Sequence, residues 1–279
     1  MSNNSSNLRA TLLRRALPLA LCLCLPATLC VGQQQQLANK TDEQLAKENR
    51  AEQIVAHAVA AMGGDAYLGV HSTIGRGIIT PFAKGQSQLP LSFTDYLVFP
   101  DKERTEFRGG GNRSIDTFVG ASGWGFDAAQ RSIKDKLPAD VESFQVSLRT
   151  SIDNLLRGWW RKDGATLTYV GRREAGLARR NETVRLTYPD GFTVDFEIGA
   201  KDNLPAKALY KRTNSEGTEV QEEDRYARFL TLNGITLPFI IDHYRAGDQT
   251  SRISYDSIEF NRPIADALFA KPANVKALK

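Results

Sequence analysis

The side chains that most often carry out catalysis are sparse in this sequence. Its histidines are His57, His71 and His243, and none belongs to an HExxH pair, so a zinc hydrolase would have to assemble them from distant segments. No Gly-x-Ser-x-Gly segment is present to expose a serine nucleophile. We therefore predict no catalytic residue, no metal ligand and no cofactor, with a hydrolase as the minor alternative.

The first 32 residues have the pattern of an export signal. Arg9, Arg14 and Arg15 form a basic start, residues 16–29 are apolar, and small residues near Gly32 suit cleavage. The apolar run is short and contains two prolines, which disfavours a permanent membrane anchor. The mature chain is predicted to begin near Gln33 and to work in the periplasm.

Two alternatives for this segment stay open. One is lipidation of Cys30 after cleavage, although Leu29 before it is not a small residue. The other is a twin-arginine address at Arg14 and Arg15, although Leu13 stands where Ser or Thr is expected.

Removing the signal changes what the composition implies. All three cysteines lie within it, so the mature chain has no disulfide, thiol nucleophile or thiolate metal site. Loss of its three arginines also reduces the formal net charge from +4 to +1. A nearly neutral protein offers no electrostatic basis for binding nucleic acid.

Two segments of the mature chain have helical periodicity. After a polar lead-in at 33–49, residues 48–62 place apolar side chains on one face and end at Gly63 and Gly64. His57 lies near that apolar face, which favours a half-buried packing role. A second amphipathic helix is predicted at 140–160, between Pro138 and Gly158.

The remaining segments alternate with the two-residue period of strands and are joined by tight turns, including Gly109–Gly110–Gly111. Such turns require antiparallel pairing. We predict an α+β fold, with a large curved antiparallel sheet covered by helices in a single domain at 50–279. The predicted strands are 73–80, 91–99, 103–108, 113–119, 123–127, 166–172, 182–188, 192–198, 206–213, 219–232, 235–245 and 250–260.

Helices laid across an apolar sheet face leave either a packed core or a cavity for an apolar ligand. Adjacent Trp159 and Trp160 cannot share one buried face, so one of them is expected at a cavity mouth or a membrane-facing rim. The predicted ligand-binding side chains are Phe118, Trp124, Phe126, Phe144, Leu148, Ile152, Leu155 and Trp159. Packing into an ordinary core is the alternative for each of them.

Several short phrases resemble the periplasmic lipoprotein-localisation factors and their outer-membrane lipoprotein-sorting relatives, which share a half-barrel LolA/LolB-like fold. They are the Met62–Gly63–Gly64 helix end and the segments 96–104, 123–125, 233–238 and 268–272. The resemblance implies that a lipid, a lipoprotein acyl chain or a similar apolar ligand is carried in a cavity under a helical lid, by a monomer without covalent chemistry. It also implies an alternative role as an envelope sensor with a protein partner, and it allows transient membrane contact.

Overall fold

Four α-helices and one fourteen-stranded sheet are present in the residues described by the computed structural model, 41–213 and 217–278. The predicted signal at 1–32 and residues 33–40 of the lead-in lie outside them. The helices are α1 (Asp42–Met62), α2 (Asp65–Leu68), α3 (Pro138–Thr150) and α4 (Ile152–Arg157). The strands are β1 (Ser72–Ala83), β2 (Gln86–Ser87), β3 (Leu91–Val98), β4 (Lys102–Gly109), β5 (Asn112–Val119), β6 (Ser122–Asp127), β7 (Ser132–Asp135), β8 (Thr166–Glu174), β9 (Arg180–Thr187), β10 (Thr193–Gly199), β11 (Pro205–Thr213), β12 (Glu219–Leu232), β13 (Ile235–Arg245) and β14 (Asp248–Phe260).

Helix α1 packs its small and apolar face against the sheet. Ala51, Ile54, Ala58 and Met62 are buried there, as the three- and four-residue spacing predicts. The helix begins at Asp42, earlier than the predicted residue 48, so the end of the lead-in is helical. It stops at Gly63, whose φ of 122° and close approach to the Gly234 carbonyl exclude a larger residue.

All the strand pairs are antiparallel, and the order across the sheet is β7-β6-β5-β4-β3-β1-β14-β13-β12-β11-β10-β9-β8, with β2 paired to β1. The chain therefore starts in the middle, proceeds to one edge, and re-enters at the opposite edge with β8. The sheet is not closed, and the predicted α+β fold with a large curved antiparallel sheet is confirmed. Two short strands, β2 and β7, were not predicted.

The connection from β7 to β8 explains why helices cover the sheet. These strands form opposite edges, so the segment that joins them has to cross a whole face, and α3 and α4 lie in that segment. We call the face that they cover the inner face and the opposite one the outer face.

The prediction of one continuous helix at 140–160 is wrong, because the chain is extended at Ser151 (φ −68°, ψ 147°). The Ser151 hydroxyl accepts a hydrogen bond from the backbone N–H of Asn154 at 3.1 Å and donates to the Leu148 carbonyl at 3.0 Å. A serine in this position caps a new helix. Helix α4 then ends at Gly158 in the left-handed conformation, and a short 3₁₀ helix follows at Trp159–Arg161.

Candidate ligand cavity

A cavity of about 470 Å³ lies between the inner face and helices α3 and α4. Its apolar lining comes from both layers: Val70, Leu97, Phe99, Pro100, Phe144, Val146, Leu148, Ile152, Trp159, Ile235, Leu237, Pro238, Ile241, Ile258 and Phe260. Volumes of this size suit a small organic ligand. The two layers thus leave unfilled space as well as a packed core.

The structure places four of the predicted ligand-binding side chains in this lining. Phe144, Leu148, Ile152 and Trp159 all contribute to the cavity wall. Phe118 lies beside it, because its ring stacks on that of Phe144 with centroids 4.6 Å apart and an interplanar angle of 13°. These five side chains therefore belong to one region, and their role in binding stays a prediction.

The assignment of Trp124 and Phe126 to the cavity is corrected by the strand register. Trp124 pairs with Thr117, whereas Phe118 pairs with Gly123. Directly paired residues share a face and sequence neighbours alternate, so Trp124 and Phe126 lie on the outer face. They pack there with Ile115 in a separate small core.

The C-terminal segment covers this outer core. The Trp124 indole nitrogen donates a hydrogen bond to the Phe269 carbonyl at 2.8 Å. The buried guanidinium of Arg104 donates to the Leu268 carbonyl at 2.9 Å and lies over the Trp124 ring. Residues near the end of the chain thus shield aromatic side chains that would otherwise face solvent.

Leu155 is also corrected, since it is fully buried in the main core and does not line the cavity. The two adjacent tryptophans behave differently from each other. Trp160 is buried in the core, whereas Trp159 is partly exposed, lines the cavity and packs against Phe99 at 5.6 Å between ring centroids. One of the two tryptophans was expected at the cavity, and the one that lies there is Trp159.

Arg157 anchors α4 to the first part of the domain. Its Nε donates to Asp153 Oδ1 at 2.7 Å, and its Nη1 donates to the Leu68 and Val70 carbonyls at 3.1 and 2.8 Å. The guanidinium also lies over the rings of Tyr67 and Phe99, at 4.5 and 4.6 Å. Because its side chain is 6% exposed, this network fixes one wall of the cavity.

The cavity lining also contains polar side chains that the sequence analysis did not identify. Its ionisable side chains are Asp95, Glu103, Asp153, Arg157, Arg212, Asp224 and His243, together with Tyr67, Tyr210, Tyr226 and Tyr255. The sequence of β3 contained a signal for this. Asp95 lies two residues from both Phe93 and Leu97, so its side chain must share their face of the sheet. An acidic side chain in an apolar inner stripe is a candidate functional residue.

Among these groups, His243 and Asp224 form a directly bonded pair. The His243 Nδ1 and Asp224 Oδ1 atoms are 2.5 Å apart. Burial opposes protonation of the imidazole, but the hydrogen bond and charge of Asp224, with those of Asp242 and Glu222 nearby, outweigh it and raise the pKa of His243. His243 is therefore protonated up to a higher pH than an ordinary histidine.

We expect an NMR titration to find the pKa of His243 above its usual 6.5 and to find it lowered in Asp224→Asn. A raised pKa in the folded state stabilises the protein below the unfolded-state pKa, and this contribution disappears as pH rises through the folded value. The stability difference between wild type and His243→Gln should consequently shrink from pH 6 to pH 9. Asp65→Asn, at an exposed position, is the control and should leave the pKa of His243 unchanged. If Asp224→Asn also left this pKa unchanged, the pairing would be refuted.

The other histidines have different surroundings. His57 is exposed on α1, which corrects its expected half-buried packing role, and His71 is exposed before β1. Within residues 41–213 and 217–278, no group of three or more His, Cys, Asp or Glu side chains is arranged to hold a metal ion. None of the helices in these ranges has the length and apolarity required to cross a membrane.

Two solved structures share the architecture. A DUF1329 family protein from Desulfovibrio piger is 14% identical, with a TM-score of 0.58 over 82% of this chain and 99% of that chain. A LolA superfamily protein from Nitrosomonas europaea is 14% identical, with a TM-score of 0.53 over 79% of this chain and 97% of that chain. The fold is LolA-like.

At this identity the likeness establishes the LolA-like fold alone. No protein-family model matches the sequence, and a search of curated proteins gives no match either. The predicted resemblance is thus confirmed for the half-barrel sheet with its helical cover. The ligand of the LolA-like cavity has to be inferred from its own side chains.

Proposed function

We propose that this protein is an exported binding protein that holds or carries a lipid, an acyl chain or a similar apolar ligand in the cavity beneath α3 and α4. The observation that supports the proposal is the cavity of about 470 Å³ with its predominantly apolar walls. Burial of apolar surface drives such binding at about 25 cal/mol per Å². Export to the periplasm rests on the sequence pattern of residues 1–32.

Helix α3 is the element best suited to open the cavity. Phe144 and Thr150 are its buried residues, whereas most residues of α4 are buried and Arg157 anchors that helix. Helix α3 is held near its middle by the stack of Phe144 on Phe118, and in its last turn by two hydrogen bonds of 2.9 Å from Arg149 to the exposed Asp190. The break at Ser151, between Pro138 and Gly158, is the natural hinge, because no helical hydrogen bonding has to be broken there.

A neutral fluorescent dye such as N-phenyl-1-naphthylamine tests the cavity directly. We expect it to bind wild type with micromolar affinity, and dodecanol to displace it. Leu148→Glu should weaken binding at least 100-fold, because it places a carboxylate in the apolar wall. Leu177→Glu is the matched control, since Leu177 is fully exposed and away from the cavity.

Circular dichroism and urea unfolding would establish that both variants are folded. Unchanged dye affinity in folded Leu148→Glu would exclude α3 from the site. Failure of wild type to bind either the dye or dodecanol would exclude the carrier function and leave binding of a protein partner as the better account of this fold.

A further inference from the structure

Some charged side chains of the cavity lining have an oppositely charged partner and others do not. Asp153 pairs with Arg157, and Asp224 pairs with His243. Arg212 donates to the Ser143 hydroxyl at 2.9 Å. Asp95 and Glu103, in contrast, form no ion pair with any residue in the described ranges.

These two carboxylates lie next to each other on the inner face. Asp95 is on β3 and Glu103 on β4, and both are directed toward Thr105, whose hydroxyl is 2.9 Å from Asp95 Oδ1 and 3.3 Å from Glu103 Oε1. The Thr105 hydroxyl has one hydrogen, so it can donate a full hydrogen bond to only one of the two carboxylates at a time. Asp95 is 8% exposed, and its Oδ2 receives no side-chain hydrogen bond from the described residues.

Their surroundings add hydrogen-bonding groups and a third carboxylate, Asp116, which lies opposite Thr105 on β5 and is already paired with Lys136. The ring of Tyr255 crosses β1 where Gly75 leaves room, since a Cβ on Gly75 would lie 2.7 Å from the Tyr255 Cε1. No hydrogen-bond partner is found for the Tyr255 hydroxyl within the described part of the chain. Burial, and then the charge of Glu103, raise the pKa of Asp95 well above its usual range, and burial also raises the pKa of Glu103.

The buried Asp95 and the half-buried Glu103 are costly to ionise together when no cation is paired with either of them. A proton shared by the pair would lower this cost. A ligand ammonium group would remove the same cost by supplying the missing positive charge and up to three hydrogen-bond donors. The apolar remainder of such a ligand would lie along Phe144, Leu148 and Ile152, which line the same cavity.

We propose that the cavity selects an amphiphile with a protonated amine, held by Asp95 and Glu103. This inference rests on the proposed function, because it names the polar end of the ligand that the apolar walls would hold. It differs from a cavity made for a bare acyl chain, which would have no use for an unpaired carboxylate pair. It also differs from a fatty-acid site, whose carboxylate would be repelled by the pair.

Displacement of N-phenyl-1-naphthylamine by three ligands of equal chain length tests the inference. Dodecylamine, dodecanol and dodecanoate are compared at pH 7, below their micelle concentrations. We expect wild type to release the dye at an at least 10-fold lower concentration of dodecylamine than of dodecanol, with dodecanoate weakest. In Asp95→Asn/Glu103→Gln this preference should fall to within about twofold.

Asp248→Asn, in an exposed position, is the matched control and should keep the wild-type preference. Similar displacement by dodecylamine and dodecanol from the wild-type protein would overturn the amine inference but not the proposal of an apolar ligand cavity. Strongest displacement by dodecanoate would also overturn the amine inference. Lack of displacement by all three ligands would contradict the proposed function itself, so the two failures are distinguishable.

Discussion

Replacing Arg157 with alanine is expected to lower the free energy of unfolding by about 3–5 kcal/mol, the usual cost of removing one partner of a buried ion pair. The substitution leaves Asp153 without its cation and the Leu68 and Val70 carbonyls without their donor. It also removes the stacked guanidinium between Tyr67 and Phe99. Urea unfolding monitored by tryptophan fluorescence measures the effect.

The matched control is Arg76→Ala. Arg76 pairs with Glu259 at 2.6 Å, but both side chains are more than 40% exposed, so the expected loss is below about 1 kcal/mol. Arg157→Lys should recover only part of the stability, because an ammonium cannot reproduce the guanidinium geometry. A loss from Arg157→Ala no greater than that from Arg76→Ala would show that α4 is held mainly by its apolar contacts.

Replacing Trp124 with alanine is expected to destabilise the protein by about 3–5 kcal/mol while leaving the dye affinity of the folded molecule unchanged. The side chain is 4% exposed and its indole nitrogen holds the Phe269 carbonyl. Its removal would open a cavity on the outer face and release the C-terminal segment. Unfolding curves and dye titrations of the same preparations separate the two effects.

Phe118→Ala provides the opposite case. Phe118 lies on the inner face and stacks on Phe144 of α3, so its removal should change dye affinity more than stability. Equal effects of the two substitutions on dye affinity would contradict the assignment of these aromatic side chains to opposite faces. The pair of variants therefore tests the register of β5 and β6 in solution.

Local sequence patterns were sufficient for much of the fold. The periodicity of α1, its stop at Gly63 and the turns between strands depend on neighbouring residues, and each was predicted close to its observed position. Antiparallel pairing follows from the same tight turns. The cap formed by Ser151 is equally local, and a serine followed by Asp153 in the first turn was a signal that could have located the break between α3 and α4.

The candidate site depended on information of longer range. Alternation along β6 indicates that Trp124 and Phe126 share a face, but not which face of the sheet it is. That choice was made by the C-terminal segment, which covers the outer face more than a hundred residues later in the chain. An aromatic side chain can be buried equally well on either side, so composition and spacing leave the side undecided.

Sequence alone thus determined most of the elements of this protein, their antiparallel pairing and the apolar positions of the covering segment, because these follow from local sterics and periodicity. The tertiary structure decided which side chains meet. Asp95 and Glu103 come together with Asp224 and His243 in one cavity only because the segment joining β7 to β8 has to cross the sheet from one edge to the other. Contacts between residues far apart in the chain depend on how whole layers pack, and no local pattern encodes them.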